Sequence, residues 1–108
     1  MKFLLSADQI HALYTTNQKS GCIASNRITV DGMRIGYMYR EEASLNFPDS
    51  GWRFFAGDET DSYTENSNNF HIFDLNTICN YDSDIIDYLD SPVGTAYIRD
   101  GKMFILDN

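Results

Sequence analysis

Two Asp-Gly pairs restrict the fold of this chain more than any other feature of its sequence. Asp31-Gly32 lies between residues 27–30 and 33–39, and Asp100-Gly101 lies between residues 94–99 and 102–106. These flanking runs are rich in the β-branched and aromatic residues that are typical of strands. Asp-Gly suits a type I′ turn, in which both central residues take positive φ. The sequence therefore predicts two β-hairpins.

A helix is predicted ahead of the first hairpin, over residues 6–18. Ser6 with Gln9 three positions later forms the pattern of a capping box, and Ile10, Leu13 and Tyr14 recur at helical spacing. Residues 19–21 end this helix. We expect its apolar side to pack on one face of a sheet.

Further strands and short helices are predicted along the rest of the chain. Strands are expected over residues 21–25, 52–56 and 70–73. One short helix follows a cap at Asp58 or Thr60, and another follows a cap at Asp82 or Ser83 and ends before Pro92.

Strands joined by hairpins, with a few short helices, favour an α+β fold built on a single antiparallel sheet that contains both Asp-Gly hairpins. A chain of 108 residues has the usual length of one domain, so residues 1–108 are expected to form a single domain. The expected core consists of Leu13, Ile23, Ile35, Tyr37, Trp52, Phe54, Ile72, Ile85, Ile86, Leu89, Ile98 and Phe104.

The charge of the chain is negative and unevenly distributed. Its net charge is −8, and residues 41–90 carry twelve acidic groups against one basic group. Because nucleic-acid binding depends on Lys and Arg that neutralise phosphates, nucleic acid is a poor partner for this chain. The acidic segment is either a solvated, self-repelling surface or a face that attracts a basic partner, and composition does not choose between them.

The sequence indicates a cytoplasmic protein. The longest apolar run is four residues, at positions 103–106, which is far too short for a membrane helix. The apolar run nearest the start of the chain, at positions 3–5, is too short for the apolar region of a signal peptide. Cys22 and Cys79 are expected to be buried thiols, since a disulfide would need an oxidising compartment.

No pattern of catalytic or metal-binding residues stands out. His11 and His71 are the two histidines, and neither has a second ligand at metal spacing. The calcium-loop pattern that Asp82 could open fails, because Asp87 and Val93 stand where Gly and Glu are needed. We expect no cofactor, no metal and no enzymatic activity.

Several longer motifs resemble a known family. They are residues 21–32 (GCIASNRITVDG), 35–41 (IGYMYRE), 50–61 (SGWRFFAGDETD), 74–82 (DLNTICNYD) and 89–92 (LDSP). Together they are similar to the immunity protein 33 domain, a bacterial family, over about residues 21–100. The resemblance implies an antidote of a polymorphic-toxin system: a small, non-enzymatic cytosolic protein that binds and blocks a cognate toxin. It implies no catalytic residues.

A basic toxin would suit the acidic segment of such an antidote, because complementary charge raises the rate of association. The predicted partner-binding residues are Asp58, Glu59, Asp61, Glu65, Asp84, Asp87 and Asp90. Two other classes stay open. One is an accessory protein- or small-ligand-binding module, in which Trp52, Phe54 and nearby tyrosines line a pocket. The other is a small carboxylate enzyme. The oligomeric state is not predicted.

Overall fold

The computed structural model describes residues 2–107, and a six-stranded sheet lies at its centre. The strands are β1 (Gly21–Ser25), β2 (Tyr37–Arg40), β3 (Asp49–Phe55), β4 (Phe70–Asp74), β5 (Ala96–Asp100) and β6 (Met103–Leu106). Their order across the sheet is β4-β1-β3-β2-β5-β6. The predicted α+β class with one sheet and short helices is confirmed.

The prediction of a purely antiparallel sheet is wrong, because β1 and β3 run parallel. The other four strand pairs are antiparallel. Parallel neighbours need a connection of a dozen or more residues. Here that connection passes through a helical turn and through β2, which lies on the far side of β3.

The helical segments are short. The α-helices are α1 (Asn26–Thr29), α2 (Asp61–Glu65) and α3 (Leu75–Tyr81), and 3-10 turns cover Ala7–Gln9, Ser67–Asn69 and Ser83–Tyr88. Thr60 caps α2 by accepting from the Tyr63 N–H, and Asp82 caps Ser83–Tyr88 by accepting from the Asp84 N–H. Each cap is one of the two alternatives that the sequence left open. No helix within residues 2–107 is long and apolar enough to cross a bilayer.

The first predicted hairpin is wrong. Helix α1 takes the place of its expected first strand. The helix begins after Ser25, and the Ser25 hydroxyl caps it by accepting from the Arg27 N–H. Burial of Ile28 and Thr29 outweighs their preference for strands. Gly32, with φ of +80°, ends this helical turn, and its N–H donates to the Ile28 carbonyl.

The second Asp-Gly pair does join two antiparallel strands, but its turn differs from the predicted one. Asp100 pairs with Met103, so the two central residues are Gly101 and Lys102. Gly101 has φ of +66°, and no residue other than glycine has positive φ within residues 2–107. A positive φ at the first central residue alone belongs to type II′ turns.

The helix predicted over residues 6–18 is also wrong beyond its first turn. The Gln9 side chain accepts from the Ser6 N–H as a capping box requires, but the 3-10 turn ends at Gln9. The segment that follows gives its backbone hydrogen bonds to side chains of α3. Leu13, expected in the core, is 46% exposed.

The core lies between the sheet and the segments from α3 to Leu89. Of the expected core residues, six are buried: Ile35, Trp52, Phe54, Ile85, Leu89 and Phe104. Ile23, Tyr37 and Ile86 are half-buried. Besides Leu13, Ile72 and Ile98 are wrong, because they are exposed on the opposite face of the sheet. Cys22 and Cys79 are buried free thiols, and burial raises the pKa of Cys79 to about 12.

Candidate partner-binding surface

The sheet has one covered face and one open face. Side chains alternate between the faces along each strand. Met38, Trp52 and Phe54 point to the covered face and are fully buried. The open face carries Ile23 of β1, Tyr37 and Tyr39 of β2, Arg53 and Phe55 of β3, Phe70 and Ile72 of β4, and Ile98 of β5.

Aromatic rings form a continuous chain across the open face. Tyr39 stacks on Phe55, with ring centroids 5.8 Å apart and an interplanar angle of 12°. Tyr37 lies 5.9 Å from Tyr39, and Phe70 lies 5.7 Å from Phe55. Tyr63 of α2 extends the chain by an edge contact with Phe70 at 6.0 Å. Helix α2 therefore stands beside the open face.

Two hollows lie on this aromatic surface. One, of about 350 Å³, is lined by Tyr37, Tyr39, Phe55 and Ile98 together with Gly36, Gly57, Glu59 and Thr64. The other, of about 570 Å³, lies toward β4 and includes Ile23, Arg53, Phe70 and Ile72. Tyr39, Phe55 and Thr64 are shared, so the hollows adjoin each other.

Arg53 lies at the floor of the larger hollow and is bound by two carboxylates. Its Nη1 and Nη2 donate to Asp49 at 2.9 and 2.7 Å, and its Nε donates to Glu41 at 2.6 Å. Burial by itself would raise the pKa of Asp49. Arg53 and the N–H groups of Ser44 and Gly51 outweigh burial and lower that pKa below its ordinary value.

The predicted acidic residues of 58–65 lie beside the open face. Asp58 forms an ion pair with Arg27 at 2.5 Å, which lowers the pKa of Asp58. Glu59 lines the smaller hollow, and its carboxylate accepts from the N–H groups of Ala56 and Gly57. Asp61 and Glu65 are exposed on α2.

The predicted acidic residues of 84–90 lie on the other side of the sheet. Their segment packs against the covered face through Ile85 and Leu89. Asp84 accepts from Arg99 at 2.9 Å, whereas Asp87 and Asp90 are exposed. The structure therefore does not bring the two acidic groups together on one side.

The two histidines have different surroundings. His71 Nδ1 lies 2.9 Å from the Asn26 side-chain oxygen, and its ring meets Phe3 edge-on. His11 is exposed. Among residues 2–107, no three His, Cys, Asp or Glu side chains form a group that could hold a metal ion.

The family model of the immunity protein Imm33 domain matches residues 22–105. The chain belongs to the Imm33 family. The resemblance predicted over residues 21–100 is confirmed, and the Imm33 match covers the whole sheet except part of its first and last strands. No curated protein and no solved structure matches the chain. Imm33 membership implies an immunity-type role and a toxin partner in general.

Sequence reasoning missed the open face of this Imm33 protein. Tyr37 was expected in the core, although on β2 it is Met38 that is fully buried. Trp52 and Phe54 are fully buried, so the alternative that placed them in the wall of a pocket is wrong for both. The informative signal lies in β3, where Arg53 and Phe55 alternate with the fully buried Trp52 and Phe54.

Proposed function

We propose that this protein is an antidote that binds a cognate toxin protein and blocks it without performing chemistry on it. The match of the Imm33 domain over residues 22–105 carries the proposal. Blocking by binding needs a stable surface and no cofactor. We place this action in the cytoplasm, where a bacterial cell would meet a toxin that enters or is made there.

Charge supports rapid capture in this proposal. The protein has a net charge of −8, and a basic partner is steered toward such a surface before contacts form. The proposed partner-binding residues remain Asp58, Glu59, Asp61, Glu65, Asp84, Asp87 and Asp90. Those beside the open face and those beside Asp84 can be tested separately, because they lie on different sides of the sheet.

The experiment pairs the protein with the product of the neighbouring reading frame in its native host. That product is expressed under an inducible promoter, alone and together with this protein, and colony survival is counted. We expect growth arrest without this protein, rescue with it, and a stoichiometric complex by size-exclusion chromatography. Rescue without a complex, or a complex without rescue, would contradict neutralisation by binding.

A further inference from the structure

We propose that the open face is the docking surface for a protein segment that presents arginine or lysine among apolar side chains. The assignment of this segment to the toxin rests on the proposed function. The assignment of the surface and of the segment's chemistry rests on the side chains of the open face itself.

The open face leaves apolar side chains exposed toward both sides of the sheet. Ile72 is 58% exposed and Ile98 is 42% exposed, at opposite ends of the aromatic chain. Clustered apolar exposure of this kind marks interaction sites on soluble proteins. Tyrosine is also enriched among the residues that dominate binding energy, because its ring gives a large contact area and its hydroxyl gives a polar contact.

The charge around these rings selects a cationic partner. Among the described residues 2–107 that line the two hollows, Arg53 is the one Lys or Arg. Its guanidinium is bound by the carboxylates of Asp49 and Glu41. Glu59 lines the smaller hollow, and Asp61 and Glu65 lie on α2 beside it. The surface thus offers negative charge and aromatic faces together, which are the two features that attract a guanidinium or ammonium group.

A second copy of this chain does not fit the same description. Two open faces brought together would bring the acidic groups of two copies close to one another, and each copy has a net charge of −8. Like charges placed against each other across an interface disfavour association. The charge therefore favours a basic partner of different sequence over self-association.

The test uses the peptide acetyl-Leu-Arg-Leu-Arg-Leu-amide, titrated into the isotopically labelled full chain and followed by NMR. A second peptide with glutamate in place of both arginines is the control. We expect saturable shift changes at Tyr39, Phe55 and Ile72 with the arginine peptide and none with the glutamate peptide. Changes confined to Asp87 and Asp90, or equal responses to both peptides, would overturn the proposal.

Variants then separate the open face from other apolar surface. Ile72→Lys and Ile98→Lys each place a positive charge on the open face. Each should lower the affinity for the arginine peptide by about tenfold or more. Leu13→Lys is the matched control, because Leu13 is 46% exposed on a segment that contacts α3. The affinity of Leu13→Lys for the arginine peptide should equal that of the wild type. Tyr39→Leu keeps an apolar side chain but removes the ring, and should weaken binding about 2- to 30-fold.

The same variants distinguish the docking surface from the antidote role. A toxin that is captured equally by wild type and Ile72→Lys would overturn the docking surface and leave the antidote role standing. Binding of the arginine peptide to the open face, in a protein that neither captures nor neutralises the neighbouring gene product, would support the surface and remove the antidote role.

Discussion

Trp52 is the largest fully buried side chain among residues 2–107 and lies on the covered face. It is fully buried, its ring stacks on Phe54 with centroids 6.0 Å apart, and its Nε1 donates to the Leu89 carbonyl at 3.0 Å. Trp52→Ala removes this packing and leaves both a cavity and a carbonyl without its donor. We expect a loss of about 3–5 kcal/mol in the free energy of unfolding, measured by urea denaturation.

Leu45→Ala serves as the control for Trp52→Ala, because Leu45 is 98% exposed. Its effect should stay within about 0.5 kcal/mol. Equal midpoints for Trp52→Ala and the wild type would mean that Trp52 is not part of the core.

The ionisation of Asp49 makes the free energy of unfolding depend on pH at acidic pH. Its folded pKa lies below the ordinary value of 3.8, so the unfolded chain takes up this proton at a higher pH than the folded chain does. The stabilisation is complete above the unfolded pKa and is lost as the pH falls through the folded pKa. Urea unfolding between about pH 5 and pH 2 should therefore show falling stability, with a smaller fall for Asp49→Asn.

Asp49→Asn should also cost about 3–5 kcal/mol at neutral pH, because Arg53 would keep its buried charge and lose a bidentate partner. Asp100→Asn, at an exposed position, is the control. If the wild type and Asp49→Asn lost stability in parallel on acidification, another carboxylate would be responsible.

At the scale of elements, the segment over residues 10–14 is attached to α3 by two asparagines. The Asn76 oxygen accepts from the Leu13 and Tyr14 N–H groups, each at 2.9 Å, and its amide donates to the His11 carbonyl at 2.8 Å. Asn80 accepts from the His11 N–H at 2.9 Å. These side chains replace the bonds that a helix would have made.

Asn76→Ala should release this segment without unfolding the sheet. We expect amide hydrogen exchange at Leu13 and Tyr14 to accelerate by about tenfold or more, since each lost bond is worth about 1 kcal/mol. Exchange at Trp52 and Phe54 should stay unchanged. Asn17→Ala, at an exposed position three residues beyond this segment, is the control, and similar acceleration in both variants would show that Asn76 does not hold the segment.

Local patterns predicted elements well where the local bonds decide the outcome. The caps at Thr60 and Asp82 and the strand β4 follow from short stretches of sequence. Helix 6–18 could not be rejected in this way, because the competing partners of its backbone lie 62 to 69 residues further along the chain. The strand expected over residues 27–30 failed for a related reason, since long-range burial of Ile28 favoured α1.

At the scale of the whole molecule, the two acidic groups can be compared at equal net charge. Asp61→Asn with Glu65→Gln removes two charges beside the open face, and Asp87→Asn with Asp90→Asn removes two from the other side. If the toxin docks on the open face, the first pair should slow association more than the second and should flatten its dependence on salt. Stopped-flow binding to the neighbouring gene product measures both.

Equal slowing by the two pairs would mean that the net charge alone steers the partner. If the pair Asp87→Asn and Asp90→Asn slowed association more than the other pair, the docking site would lie on the side of the 3-10 turn Ser83–Tyr88. Unfolding stability should change little in either double variant, because exposed charges contribute about 0–1 kcal/mol each.

The sequence predicts the acidic character of the candidate site but not which residues come together there. An acidic segment is visible in the composition, but pairing of Asp58 with Arg27 and of Asp84 with Arg99 depends on tertiary contacts. The open face depends on which side of β2 is buried. That choice is made by Trp52 and Phe54 on the neighbouring strand β3, which the sequence of β2 alone does not contain.

The position of β1 between β3 and β4 determines when the chain can fold during its synthesis. Gly21 pairs with Asp49 on one side and with Asp74 on the other, so β1 leaves the ribosome long before either partner. At about 5–20 residues per second, its second neighbour follows roughly 3–10 seconds later. A chain that stops before residue 70 therefore keeps an unpaired edge on β1, which invites aggregation with other nascent chains. We therefore expect β1 to be paired on both sides only after the chain has been made through residue 74.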